Sequence, residues 1–327
     1  MKQMNAKLLL TGILAGITSA LLALGASVQP SFAFMLYAAS ALPVLIAGMG
    51  WGNITAIVAI GTAAVVGAVG VSPAFAGTLA IFTLLPAGWI SHLANLARPA
   101  KELGGPDGLM AWYPLSDILF HLCCVISIAV IILGAIIGYG PEFVEQYIKI
   151  ITESLSQQQP TPAIDMAVLE ESARMMLTML PIVQGGMWVI MLFSAYYFAT
   201  RIVSASGHAL RPREDMPSAL RMNRNSVFVF LGAILLAFAG GVPGLIGAVV
   251  CGTFGAGFLL AGFASLHLRS RGKDWRLPAL ILAYISCIFL LPAMIVLILG
   301  IADTRRTVAL TPAAGKAAPP NDKQDQN

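Results

Sequence analysis

The fold is decided by an uncharged stretch that begins LLLTGILAGITSALLALGASVQPSFAFMLYAASALPVLIAGMGWG at residues 8–52 and continues to residue 97. These ninety residues contain no Asp, Glu, Lys or Arg. An α-helix rises about 1.5 Å per residue, so about 20 residues cross a hydrocarbon layer of about 30 Å. Turn-forming residues divide the stretch, and we predict four membrane crossings near residues 8–27, 32–50, 53–71 and 74–97.

The composition of the whole chain indicates the same class. The 327 residues are 58% hydrophobic and 10% charged, whereas soluble domains carry about 25% charged residues. Backbone polar groups in lipid must be satisfied internally, and long apolar segments suit helices rather than the short alternating strands of a barrel. We therefore predict an all-α polytopic membrane protein that is surrounded by the lipid bilayer and has no nucleic-acid partner.

Further apolar segments continue this pattern after residue 97. They predict crossings near residues 115–139, 180–200, 226–242, 244–267 and 277–301. Residues 1–305 are thus expected to form one integral membrane domain with about eight or nine transmembrane helices. Eight is the count if a weak segment such as 226–242 does not span. The polar residues 306–327 are predicted to be a disordered tail.

The distribution of basic residues predicts the orientation of the chain. If the N-terminus is cytoplasmic, the N-terminal end and three loops on the same side hold 13 of the 19 Lys and Arg residues. Because Lys and Arg concentrate in cytoplasmic loops, we predict a bacterial inner-membrane protein with a cytoplasmic N-terminus. With nine crossings, however, Arg305 and Arg306 would lie outside.

The acidic segment 140–180 is predicted to lie on the outer face of the membrane. Its apolar residues recur at helical spacing after Pro141, and the sequence QQQPTP at residues 157–162 interrupts that pattern. We expect two amphipathic helices, 141–157 and 162–180, lying on the membrane surface.

The sequence lacks the short motifs of several common enzymes. It has no phosphate-binding P-loop, no His-Glu-x-x-His, no Cys-x-x-Cys and no Gly-x-Ser-x-Gly. We predict that the protein is not an enzyme, with no catalytic residues, no metal and no cofactor. Any energy that it uses would come from a partner.

A stripe of small residues lies on the first predicted helix. Gly12, Gly16 and Ala20 recur at every fourth position, and such stripes let two membrane helices approach closely. They fit internal packing of the bundle, or a docking face for another membrane protein.

Ionisable side chains gather at the predicted cytoplasmic ends of several helices. Asp117 and His121 share a helix face, and His92 and His267 are expected on the same side of the membrane. The four could form a substrate-binding, proton-linked or metal-binding site, because an ionisable side chain at membrane depth is costly and is expected to have a function. Alternatively, Asp117 favours the positive end of its helix dipole and pairs with Arg98.

Two amides, Asn95 and Gln184, lie at or inside membrane depth. They fit hydrogen bonds between helices, and less commonly the lining of a substrate cavity.

Four phrases together resemble the YybS-like predicted membrane proteins, in their alphaproteobacterial form. They are LPVLIAGMGWG at 42–52, LPAGWISHLANLAR at 85–98, WYPL at 112–115 and LGIAD at 299–303. The resemblance implies no catalytic residues. By analogy of design it points to the substrate-binding subunits of energy-coupling-factor importers, whose first helix meets a coupling protein through small residues such as Gly12, Gly16 and Ala20 here. Those subunits have about six crossings rather than eight or nine.

Three functions follow as hypotheses. The first is a small-solute-binding or transport-related membrane subunit that lacks its own ATPase and relies on a membrane coupling partner. The second is a non-transport scaffold or assembly protein whose outer helices bind an envelope protein. The third, ranked last, is an intramembrane enzyme that uses Asp117 and His121.

Overall fold

A computed structural model of the chain describes residues 6–158 and 166–312. The described residues form thirteen α-helices and three short strands. The helices are α1 (Ala6–Val28), α2 (Ala33–Trp51), α3 (Asn53–Gly70), α4 (Pro73–Leu79), α5 (Leu85–Ala94), α6 (Leu115–Ile137), α7 (Pro141–Gln158), α8 (Met166–Ala205), α9 (Met216–Ala219), α10 (Asn225–Ala237), α11 (Gly241–Arg269), α12 (Arg276–Ser286) and α13 (Leu290–Ala302). The strands are β1 (Ala97–Pro99), β2 (Leu109–Trp112) and β3 (Leu310–Pro312).

Seven helical segments in the described part of the chain are long and apolar enough to cross a membrane. They comprise α1, α2 with the preceding 3₁₀-helix Pro30–Phe32, α3, α4 joined to α5, α6, α8 and α11. A π-helical turn, Ala80–Leu84, joins α4 to α5. The prediction of an all-α polytopic membrane protein is confirmed.

Two of the predicted crossings have a different form in the structure. The segment 226–242 contains α10, whose 13 residues are about 20 Å long. The segment 277–301 contains α12 and α13, which are bent by 117° relative to each other. Pro292 has no N–H to bond the carbonyl of residue 288, so it cannot continue α12 but fits the first turn of α13.

The α12–α13 pair begins and ends at the same end of the bundle. α12 starts shortly after α11 ends at Arg269. Beyond α13, Asp303 accepts a hydrogen bond of 2.8 Å from Ser265, which is one turn before the end of α11. This is the geometry of a re-entrant hairpin rather than of a single straight crossing.

A three-stranded antiparallel sheet covers this end of the bundle, which we term the sheet end. Its strand order is β1-β2-β3, and Ala111 of β2 lies opposite Arg98 of β1 and Leu310 of β3. The tail was predicted to be disordered from residue 306, but β2 pairs its first residues as β3. The rest of that predicted tail, residues 313–327, lies outside the described residues.

Because β3 pairs with β2, we expect both segments to lie on one side of the membrane. Single cysteines at Asp107 and Ala309, in a background without the four native cysteines, should react with an impermeant maleimide from the same side of oriented vesicles. Reaction from opposite sides would contradict the sheet and restore an odd number of crossings.

The opposite end of the bundle carries a helical hairpin of α7 and the first half of α8, which we term the outer hairpin after the predicted orientation of the chain. α8 has 40 residues and is about 60 Å long, twice the hydrocarbon thickness. α7 packs against its first half, where Val144, Ile148 and Leu177 form a small apolar cluster. The prediction of two surface helices was therefore wrong for the second, because residues 166–180 continue directly into the sixth crossing. Part of the predicted break at 157–162 lies outside the described residues.

Candidate functional site

The small-residue stripe of α1 packs inside the bundle. A Cβ on Gly12 would lie 2.8 Å from Val58 Cβ, and a Cβ on Gly16 would lie 2.4 Å from the Ala59 carbonyl oxygen. Ala20 is fully buried. The predicted docking face of Gly12, Gly16 and Ala20 is thus covered inside the bundle: α3 packs against Gly12 and Gly16, and Ala20 is buried. Small residues allow this close approach of two helices.

Asp117 is buried at the sheet end, where three elements meet. Its carboxylate accepts a hydrogen bond of 2.7 Å from Asn223 and forms an ion pair of 2.7 Å with Arg306. The prediction that Asp117 pairs with Arg98 was wrong. Arg98 lies on β1, and Arg306, in the segment that follows α13, supplies the cation instead. The contact ties α6 to the chain's C-terminal segment.

A second ion pair, in which the arginine is fully buried, lies beside the first. The Arg221 side chain is fully buried, and its Nε is 2.7 Å from a carboxylate oxygen of Asp303. Burial lowers the pKa of Arg221, while the Asp303 charge raises it. Nη1 of Arg221 donates to the carbonyls of Pro217 and Leu220. Sequence reasoning missed this pair, although Asp303 at the end of a long apolar segment is a signal for it.

The predicted histidines do not converge on one point. His121 Nε2 lies 3.0 Å from the Tyr113 hydroxyl, and His92 Nδ1 lies 2.7 Å from the Asn53 amide nitrogen. His267 is paired with Tyr284 on α12. Within residues 6–158 and 166–312, no group of three or more His, Cys, Asp and Glu side chains could hold a metal ion. The suggested four-residue metal site therefore does not form in this arrangement.

His121 and Asp117 instead take part in hydrogen bonds at the sheet end. Burial raises the pKa of Tyr113, and the charge of Asp117 raises it further. The hydroxyl therefore stays protonated at neutral pH and can donate to His121. These contacts hold α6 to the segment that precedes it.

Asn95 joins two helices and also lines a cavity. Its amide nitrogen donates to the Gly48 carbonyl over 2.8 Å, which is the commoner of the two roles predicted for it. Beside it lies a cavity of about 400 Å³ between the last turns of α8 and residues 209–217.

Gln184 lies in a larger cavity at the opposite end, which we term the outer cavity. The outer cavity has a volume of about 890 Å³ and lies between the end of α6, the start of α7, the middle of α8 and the start of α11. Its lining is mainly apolar and includes Val130, Gly134, Leu180 and Val249. The amide of Gln184 makes no hydrogen bond to any residue that the structure describes. Of the predicted site residues, it alone faces this space.

The proline in α8 explains part of the cavity wall. Pro181 has no N–H, so the carbonyl of Leu177 loses its helical partner. The Tyr139 hydroxyl, from the connection between α6 and α7, donates to that carbonyl. The broken helical bond is thus replaced by a contact that fixes the wall between α6 and α8.

Close contact between α8 and α11 forms the floor of the outer cavity. A Cβ on Gly252 would lie 2.1 Å from the Ile182 carbonyl oxygen, and a Cβ on Gly186 would lie 3.2 Å from the Gly252 carbonyl oxygen. Deeper in the bundle, the hydroxyls of Ser127 and Thr253 lie 2.6 Å apart. At this level α11 is in contact with both α8 and α6. The outer cavity lies between this level and the outer hairpin.

The chain matches one known protein family along most of its length. Residues 16–304 match the family described as predicted membrane protein (DUF2232). The chain belongs to this family. No curated protein and no solved structure matches it.

The DUF2232 match covers the outer cavity, Asp117 and Asp303, and it ends before Arg306 and β3. The finer resemblance to YybS-like proteins of alphaproteobacteria stays a prediction.

An ion pair at the outer hairpin predicts a pH dependence. The Arg174 guanidinium donates to Glu145 and lowers the pKa of that carboxyl. The stabilisation that this ion pair gives to the α7–α8 contact is therefore complete above the ordinary glutamate pKa of about 4.3. It is lost as the pH falls through the lowered pKa of Glu145. Spin labels on Gln146 and Ser172 should show a broader distance distribution at pH 3 than at pH 7.

The control variant Glu145→Gln should give nearly the same distribution at both pH values. A wild-type distribution that does not change with pH would contradict a role for this ion pair in holding α7.

Proposed function

We propose that the protein binds a small, largely apolar molecule with at least one polar group in the outer cavity, as a solute-binding or transport-related membrane subunit that lacks its own ATPase. The observation that carries this proposal is Gln184. A primary amide in an apolar cavity is costly unless it is hydrogen-bonded, and in the described residues it has no partner. A bound molecule with a hydrogen-bonding group would satisfy it.

The size and chemistry of the outer cavity support the proposal. Ligand sites are typically clefts of about 300–1,000 Å³ with apolar walls and a few polar groups, and this cavity has about 890 Å³. Glu142, Tyr139 and Tyr147 lie at its hairpin side. These side chains would contact the polar part of a ligand, while the walls formed by α6 and α11 would contact its apolar part.

The role that we propose is binding without catalysis. Any transport step would take energy from a membrane partner, and that partner would meet a surface other than the α1 stripe, which α3 covers. With a cytoplasmic N-terminus in a bacterial inner membrane, the outer cavity would open toward the outer face. It would then receive a solute from outside the cell.

Filling the outer cavity tests the proposal. A Cβ on Gly134 would have Tyr139 Cβ as its nearest neighbour, at 3.8 Å, so Gly134→Trp adds its ring to the cavity without a backbone clash. The matched control is Gly61→Trp on α3, where a Cβ meets no described atom within 4 Å. Mass spectrometry of small molecules retained by gently purified protein is the measurement.

Wild type and Gly61→Trp should retain the same molecule, whereas Gly134→Trp should lose it and Gln184→Leu should retain clearly less. Equal retention by Gly134→Trp and Gly61→Trp would place the ligand elsewhere. Consistently empty wild-type preparations would favour a scaffold role.

The outer hairpin favours that second function. Val168, Met175 and Met179 lie on one face of α8 and are exposed, and their side chains would suit an apolar face of an envelope protein. Changing Met175 and Met179 to Glu should then abolish photo-crosslinking from that face in cells while retention of a cavity ligand is unchanged.

A further inference from the structure

We propose that the cavity at the sheet end, which we term the basic cavity, binds the phosphate group of an anionic molecule. The two sources of such a group are the headgroup of an acidic membrane lipid and a soluble phosphate compound. The basic cavity has a volume of about 400 Å³ and is lined by Arg201, Arg211 and Arg213 together with Tyr196, Tyr197 and Thr200. The inference does not depend on the outer cavity, which lies at the other end of the bundle.

The charges around the basic cavity do not cancel. Arg211 is nearly buried and pairs with Glu214, and it also donates to the Tyr113 carbonyl over 2.8 Å. Asp215 pairs with Arg271 over 2.5 Å. Both acidic residues of the lining are therefore engaged.

Two guanidinium groups are left in excess. Arg201 and Arg213 have no carboxylate partner within the part of the chain that the structure describes. Arg201 donates to the Tyr197 hydroxyl over 2.7 Å, and its guanidinium carbon lies 5.6 Å from the centre of that ring. These contacts orient Arg201 and leave its charge uncompensated. Arginine is well suited to phosphate because its planar fork donates two parallel hydrogen bonds.

The hydroxyl of a buried tyrosine adds a second, independent observation. Tyr196 is 1% exposed and lines the basic cavity. Its hydroxyl makes no hydrogen bond to any described residue and is therefore free to bond a group in the cavity. A phosphate oxygen in the cavity would accept that hydrogen bond. Tyr197 can donate as well, because its oxygen already accepts from Arg201.

The position of the basic cavity suits a lipid headgroup in particular. Phe198 and Ile202, which flank Arg201 on α8, are exposed apolar side chains at the end of a membrane-spanning helix. Arg201 therefore lies where apolar surface gives way to polar loop, the depth of lipid phosphates. Basic pockets between membrane helices bind acidic headgroups through the same chemistry.

The test uses purified full-length protein in a non-ionic detergent, with two probes. They are short-chain phosphatidylglycerol, followed by native mass spectrometry, and inorganic phosphate, followed by titration calorimetry. The variant is Arg201→Gln with Arg213→Gln, and both side chains are exposed enough to be lost without unfolding. The control removes equal charge nearby, at Arg224 and Lys273, which do not line the cavity.

Loss of two arginines should weaken lipid binding by about 30-fold, whereas the control should change it by about threefold or less. Tyr196→Phe should weaken binding with unchanged charge. The same pattern with inorganic phosphate would support a soluble source. Binding of neither probe, or equal weakening by variant and control, would overturn the proposal.

Discussion

Replacing Asp303 with alanine is expected to destabilise the protein by about 3–5 kcal/mol. The change leaves the fully buried Arg221 guanidinium without its carboxylate, and Arg221 cannot lose its proton to avoid the cost. It also removes the acceptor for Ser265. The measurement is the free energy of unfolding in detergent micelles, or the midpoint of thermal unfolding.

Two variants sharpen this experiment. Asp107→Ala removes a carboxylate whose ion pair with Lys101 is largely exposed, so its cost should be close to zero. Arg221→Met combined with Asp303→Leu should recover most of the lost stability, because an apolar pair does not leave a buried charge. A similar loss for Asp303→Ala and Asp107→Ala would contradict the buried pair.

Replacing Gly252 with leucine is expected to separate α8 from α11, at a cost of about 3 kcal/mol or more. The Ile182 carbonyl oxygen, which a Cβ would meet at 2.1 Å, belongs to a helix backbone and cannot move aside as a flexible side chain can. Because these helices form the floor of the outer cavity, the variant should also lose any retained ligand. Unfolding measurements and mass spectrometry read the two effects separately.

Gly61→Leu is the matched control for this substitution. Gly61 also lies in a membrane-spanning helix, and a Cβ there meets no described atom within 4 Å. Its stability should change by less than about 1 kcal/mol. Leucine has a higher helix propensity than glycine, so a loss of stability at Gly252 must come from the helix contact. Equal destabilisation by the two leucines would contradict the close contact between α8 and α11.

The sequence predicted the features that depend on composition and periodicity. The uncharged stretch from Leu8 to Ala97 predicted four crossings, and the structure has four apolar helical segments there. The stripe of Gly12, Gly16 and Ala20 predicted close helix packing, but not which helix would fill it. Many apolar helices could fit such a stripe, so the choice of α3 depends on the whole bundle.

Other features depend on contacts between distant parts of the chain. Asp117 and Arg306 are 189 residues apart in the sequence, and local charge patterns favoured Arg98 instead. The strand β3 lies in a polar tail with no alternating pattern of its own, and it forms because β2 offers an open edge. Similarly, Gln184 could be identified as an amide at membrane depth, but the space around it arises from four helices together.

The proposed binding function depends most on what occupies the outer cavity. Cryo-electron microscopy of the protein in lipid nanodiscs, bound to a fiducial antibody fragment, tests this directly. We predict separate density in the cavity between α6, α8 and α11, within hydrogen-bond distance of the Gln184 amide and absent from Gly134→Trp. A cavity closed by side chains, or one filled only by lipid tails continuous with the surrounding bilayer, would contradict the proposed binding function.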